Sequence, residues 1–546
     1  MRSFFAIALA CALPAASLVA ADTPAATLTI KNHQAFLAAV SRIAESARPG
    51  MGAASAAMLP AFLGAPQLAG IDPARPWMAA AWPRPGEGGG GAAMYVPVND
   101  FASFKAGLTP GILAGGQNEH TITEKDGYAI IFNPNSRGYT DEDRAKALAW
   151  KVAPAKTDAA IHLHFAPDAR LKEMMLGGFR AGREQALQGM MMGVKNAPNN
   201  ANLDPETFQE FMQLYFSLFD TALEGFKGID LSLSVADNDI VIHEQITATA
   251  GSDLARWLAP NPDGVAADIK AVDWDSPMAF AVSLRGDETL SSFFEKAMIL
   301  GFKMQGMKQD PEATKDTMKL MEQMLPLVTA GSMSFDEGGM NFAGYYRFPD
   351  RKADNFYTVL LDFMDSTLQN QVGKDKMYKS YDYQKAVRKI GDVSVDRLAM
   401  TYNLDNPMFQ SPGQKEQMQT LFPGGKVDLE YALNDGKLFF TMGATRMEQA
   451  LNAGNGGTSA PTSLKIGPNT TFVGQLNLLT MVKGTFAKMP GSPIPPAVLE
   501  AIDPAGTGIR VRADQTGKLD LEIRVPLKII ETVSKAVAAI KAPPAN

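Results

Sequence analysis

His162, His164 and His243 are the residues of this 546-residue chain whose types and spacing come closest to a shared chemical task. Neutral imidazole is a common ligand of zinc and similar divalent ions, and three rings meeting at one point would make a metal centre. His162 and His164 stand two apart in the alternating segment Ile161-His162-Leu163-His164-Phe165, so they share one side of a strand. His243 lies in another alternating segment of the same stretch. The pattern assigns all three a plainer place. Ile161, Leu163 and Phe165 claim the core side, which leaves both histidines on the polar side, and His243 has no second ligand at a diagnostic interval.

Other constellations dissolve in the same way. Asp273 and Asp275 flank Trp274 like two carboxylates beside a sugar platform, but residues two apart on one strand do not face each other across a substrate, and the chain holds 58 acids. His243-Glu244 begins no zinc-protease helix, since no second histidine follows at the required interval. The glycines at 88–91 follow two prolines and precede a strand, so they offer no helix N-terminus to a phosphate and read as a flexible hairpin tip. No nucleophile elbow, phosphate loop or dinucleotide fingerprint occurs. No catalytic, cofactor-binding or metal-ligating residue is assigned, and no cofactor is expected.

Methionine is the compositional oddity, with 29 residues, equal to phenylalanine. Met174, Met175, Met190, Met191, Met192, Met298, Met304, Met307, Met318, Met321 and Met324 gather on long helical stretches. Flexible thioethers either fill the gap between two helices and a sheet or line an adaptable groove for a lipid-like or peptide ligand. The stripe at 318, 321 and 324 favours core filling.

The elements that carry these residues repeat one grammar: strand, helix or helix pair, hairpin, helix. Its tight turns are at 236–239, 336–339, 434–437 and 514–518. The clearest copies run over 160–258, 278–368 and 471–540, with a looser one after the leader and a partial one at 426–451. Asp204-Pro205-Glu206 and Asp310-Pro311-Glu312 give two helices the same start, a cap followed by a first-turn proline and an acid, and the second of them is expected to run to about Val328. In the first of these, Phe208, Phe211, Met212, Tyr215, Phe219, Leu223 and Phe226 fall at helical spacing, which predicts one buried face. The closing helix from Leu527 sets Ile529, Ile530, Val533, Val537 and Ile540 in a stripe expected to dock on its own sheet.

The fold class that follows is α+β, pseudo-duplicated modules of antiparallel sheet covered by helices. Residues 1–21 read as a secretory signal peptide, with Arg2, an apolar run and small residues before Asp22. An N-terminal α+β domain over 22–260 and a C-terminal one over 265–546, with a small-residue linker at 453–463, complete the expected organisation. Cys11 is the only cysteine and lies inside the leader, so disulfides and thiolate metal sites are not expected. Acylation of Cys11 as a lipoprotein is the lesser alternative, because Ala8 stands where a bulky aliphatic belongs.

A net charge of −7 with scattered Lys and Arg argues against a nucleic-acid partner. No second window is long and apolar enough to span a membrane. In this layout the chain resembles uncharacterised exported bacterial proteins built of repeated strand, helix-pair, hairpin and helix modules; the resemblance implies no site residue. The expected protein is an exported, non-enzymatic component of the cell envelope, periplasmic or extracellular, whose partner is a macromolecule or a hydrophobic ligand. An exported hydrolase or metalloenzyme with a site assembled from distant segments, and a structural assembly module, are the alternatives.

Overall fold

The computed structural model describes residues 23–541 except 66, 84–89, 110–121, 133–140, 152–158, 197–204, 305–317, 321, 337–338, 375, 407–408, 410–413, 444–445, 453–460, 462 and 487–493. The leader with Cys11, the Asp310-Pro311-Glu312 start, Met307, Met321 and most of the 453–463 linker lie outside the described residues.

The first half begins with β1 (Ala26–Ile30), α1 (His33–Ala47) and α2 (Met51–Leu63), then β2 (Trp77–Pro83), β3 (Gly90–Pro97) and α3 (Phe101–Gly107). β4 (Ile122–Lys125), β5 (Tyr128–Phe132) and α4 (Asp141–Ala149) follow. β6 (Ile161–Phe165) leads into the long α5 (Ala169–Asn196) and α6 (Pro205–Gly225), and β7 (Phe226–Ala236), β8 (Asp239–Ala248) and the short α7 (Asp253–Trp257) close this half.

The second half starts at β9 (Met278–Leu284) and α8 (Glu288–Met304), followed by β10 (Leu327–Asp336), β11 (Gly339–Arg347) and α9 (Asp354–Leu368). β12 (Tyr378–Ile390), β13 (Val393–Tyr402), α10 (Gln414–Leu421), β14 (Lys426–Asn434), β15 (Lys437–Met442) and α11 (Arg446–Asn452) come next. β16 (Thr470–Leu476), α12 (Leu478–Phe486), α13 (Pro496–Ala501), β17 (Ile509–Gln515), β18 (Lys518–Pro526) and α14 (Leu527–Lys541) complete the chain. The fold is α+β, and the strand pairings named below are all antiparallel, as the alternation and hairpin turns imply.

Local chemistry sets these boundaries. Asn32 caps α1 by accepting from Ala35 N at 2.7 Å, and Asp100 caps α3 by accepting from Ser103 N at 3.0 Å. The β7–β8 turn places Asp237 and Asn238 at φ 50° and 64°, and the β14–β15 turn places Asp435 and Gly436 at 50° and 71°. Two successive positive φ values match the right-handed twist of the flanking strands, which explains the Asp, Asn and Gly found there.

Two compact units result. The first comprises Met1–Arg183, Asp220–Ala255 and Lys518–Ser534; the second comprises Glu184–Phe219, Arg256–Gly517 and Lys535–Asn546. The sheet of the first unit runs β4-β5-β3-β2-β1-β6-β7-β8-β18. That of the second runs β17-β16-β9-β10-β11-β15-β14-β13-β12. Each grows outward from an antiparallel pair of module-opening strands, β1 with β6 and β9 with β16. β18 extends the first sheet through a register running from Lys518 opposite Thr247 to Pro526 opposite Asp239.

Packing differs along the first sheet. Around β2, β3 and β5 both faces are filled: Phe36, Trp77, Val96, Phe104 and Ile131 on one side, Trp82, Tyr95, Ile130, Phe132 and Ala147 on the other. Each large apolar side chain buried there contributes roughly 1.5–3 kcal/mol. The second unit likewise holds a core on α9 and β11–β15 around Leu398 and Leu438, and another around Val265, Trp274, Val328 and Val473.

Several sequence expectations change. The second helix expected to reach about Val328 gives way to β10, which begins at Leu327. β12 was not expected; it carries Lys379, Asp382, Lys385, Arg388 and Lys389, charges suited to the outermost strand of a sheet because they discourage edge pairing. α6 forms from Pro205 but ends at Gly225, so Phe226 opens β7, and the helix's apolar face is only partly buried: Phe208, Phe211, Met212 and Leu223 are half-buried, while Tyr215 is 38% and Phe219 56% exposed. α14 turns Leu527, Thr532 and Ala536 inward while Val533, Val537 and Ile540 are exposed, so the stripe expected to dock faces outward in part.

Candidate functional site

The histidines are held by aspartates, each within the first unit. Asp230 Oδ1 lies 3.1 Å from His162 Nε2 and 2.8 Å from His164 Nδ1, and Asp520 Oδ1 lies 2.8 Å from His243 Nε2. The register explains it: His164 of β6 stands opposite Asp230 of β7, Asp230 opposite Gln245 of β8, and Gln245 opposite Asp520 of β18. One row along, His162, Ser232, His243 and Glu522 align.

His162 and His243 are therefore two strands apart, about 10 Å at the usual strand spacing, and each ring is engaged by a different aspartate, Asp230 and Asp520. Among the described residues no group of three or more His, Cys, Asp or Glu could hold a metal ion. The polar face is a ladder of ion pairs and hydrogen bonds, which continues through Lys518 to Gln245 and Arg524 to Glu522.

The remaining sequence candidates are structural or out of reach. Asp273 accepts hydrogen bonds from Asp275 N and Ser276 Oγ, and Trp274 is buried with Nε1 donating to Ile269 O at 2.8 Å; the pair forms a turn and not a substrate cleft. Gly90 and Gly91 belong to β3, while glycines 88 and 89 lie outside the described residues. Met174 and Met175 pack with Phe165 beside the buried Ala25 and Leu171, whereas Met192 and Met318 are exposed.

The opposite face of the same strands is the chemically distinctive surface. Side chains alternate across a sheet, so the positions between the polar rows share a face. These are Ile229, Leu231, Leu233 and Val235 on β7; Ile240, Ile242, Glu244 and Ile246 on β8; and Leu519, Leu521, Ile523 and Val525 on β18. Every one is half-buried. None belongs to the six packed hydrophobic clusters found among the described residues.

Two features flank this face. Phe165 and Phe226 stack with centroids 6.3 Å apart at the end where α5 begins. At the other end Arg42 of α1 donates to Val235 O and Asn238 Oδ1 of the β7–β8 turn. Further along the sheet, under α1, lies a cavity of about 30 Å3 whose lining includes Leu28, Phe36, Trp77 and His33. Among the described residues Trp77 Nε1 and His33 Nδ1 are buried without a hydrogen-bond partner, and burial holds the His33 pKa below its ordinary value.

Sequence reasoning missed Glu244 as a functional candidate, treating it only as the neighbour of His243. Parity could have found it. In Ile240-Val241-Ile242-His243-Glu244-Gln245-Ile246, Glu244 falls in step with the isoleucines. Among the described residues no helix is long and apolar enough to cross a membrane. Comparison with protein-family models, curated proteins and solved structures gives no match.

Proposed function

We propose that this chain is an exported, non-enzymatic protein of the cell envelope that holds a hydrophobic ligand against the aliphatic face of β7, β8 and β18. One observation carries the reading: three adjacent strands present Ile, Leu and Val in register, half-buried and outside every packed cluster among the described residues. Apolar surface left in this state gains free energy when covered, roughly 25 cal/mol for each Å2 removed from water. Larger exposed apolar areas mark binding sites more often than they occur by accident. The signal-like leader and a layout that resembles that of exported bacterial proteins support the location.

Native mass spectrometry of the protein purified from its host, together with titration by a fluorescent fatty-chain probe, tests the proposal. Co-purified apolar adducts and probe binding lost in Leu231→Lys are expected. A folded protein that carries no adduct and binds no probe would overturn it.

A further inference from the structure

Glu244 is the one polar side chain set among the aliphatic residues of β7, β8 and β18. The register puts Leu231 directly opposite it on β7 and Leu521 directly opposite on β18, and Ile242 and Ile246 flank it along β8. It is half-buried, and among the described residues it has no hydrogen-bond or ion-pair partner. The acids of the other face are all engaged: Asp230 with two histidines, Asp520 with His243, and Glu522 with Arg524.

A carboxylate left without a partner on a wettable apolar face keeps its water only while the face is uncovered. An uncharged chain laid across it would strip that water and return nothing, and an anionic head would add repulsion. A cationic head would replace the lost water with a charge-assisted hydrogen bond.

We infer that the ligand of this face is a monocationic amphiphile, an apolar chain carrying an ammonium group that pairs with Glu244. This rests on the hydrophobic-ligand reading above and adds the charge of the head group. The alkyl chain lies along the isoleucine and leucine rows while the ammonium sits over the middle of the face.

The test uses the full chain and three probes of one chain length, an alkylammonium, the matching alcohol and the matching carboxylate, each below its micelle-forming concentration, by calorimetry. Wild type is expected to bind the alkylammonium about tenfold tighter than the alcohol, with the carboxylate weakest. Glu244→Gln should bring ammonium and alcohol to similar affinity, and Glu244→Leu should strengthen the alcohol; circular dichroism verifies that both variants are folded. Equal binding of all three probes by wild type, or an ammonium preference kept in Glu244→Gln, overturns the head-group assignment and leaves the hydrophobic-ligand reading standing. Failure of every probe to bind overturns both.

Discussion

Arg347 grips the buried carboxylate of Asp268 with two nitrogens, Nε to Oδ1 at 3.1 Å and Nη2 to Oδ2 at 2.7 Å. Asp268 is 2% exposed and also accepts from Tyr345 Oη at 2.7 Å, so its charge is matched on both oxygens. Removing one partner of such a pair strands the other away from water. Asp268→Ala should therefore cost about 3–5 kcal/mol of stability in the second unit, measured by urea unfolding, and Arg347→Met should cost a similar amount.

The two kinds of apolar position should respond differently to truncation. Leu398 is fully buried in the core of the second unit, and Leu398→Ala is expected to cost about 2–5 kcal/mol. Ile242 belongs to none of the packed clusters among the described residues, so Ile242→Ala should cost less than about 1.5 kcal/mol while weakening fatty-chain probe binding. Thermal melts and probe titrations on the same samples separate the two.

Ala386 occupies φ 50° where the β12–β13 register shifts between Gln384 and Arg388. Asp396 clamps this bulge: Oδ1 accepts from Ala386 N at 2.8 Å, and Oδ2 accepts from Tyr357 Oη at 2.6 Å and Tyr383 Oη at 2.7 Å. A Cβ in the left-handed region is disfavoured by about 1–2 kcal/mol. Ala386→Gly should raise stability by about 0.5–1 kcal/mol, whereas Asp396→Ala should lower it by about 3 kcal/mol, both read from denaturant midpoints.

Alkali should unfold the second unit through its tyrosines. Burial and the nearby Asp365 push the Tyr381 phenol up to about 12, burial with Asp396 pushes Tyr357 up, and burial is also the main cause of the raised Tyr383 and Tyr431 phenols. In the unfolded chain these phenols release protons near pH 10. Below that pH they add no slope to stability. Above it the unfolded state holds fewer protons than the folded one, so stability falls as pH rises. Tyr381→Phe should shallow that fall, as measured by unfolding curves at stepped alkaline pH alongside ultraviolet titration of tyrosinate.

Much of the local structure was legible in order along the chain. β6, β9 and the β7–β8 and β14–β15 hairpins lie where alternation and turn residues put them, because strand parity and positive-φ turns are decided within a few residues. β12 escaped because its charges mimic a loop, although they suit an outermost strand. The apolar face of α6 was legible as a stripe but not the extent of its burial, since a stripe records what a helix is able to cover and not how much of it is covered: Phe208 and Phe211 are half-buried while Phe219 is exposed.

The sequence by itself determined the α+β class, the antiparallel hairpins and the separation of His162 and His164 from the apolar side of their strand. Only the tertiary structure decided that β18 lies beside β8, that Asp230 and Asp520 take up the histidines, and that Glu244 stands among aliphatic neighbours with no described partner. The reason is range. Side-chain parity follows from covalent geometry repeated every two residues, whereas the company a side chain keeps depends on pairing between segments far apart in the chain, whose entropy of closure grows too slowly with distance to leave a mark on local sequence.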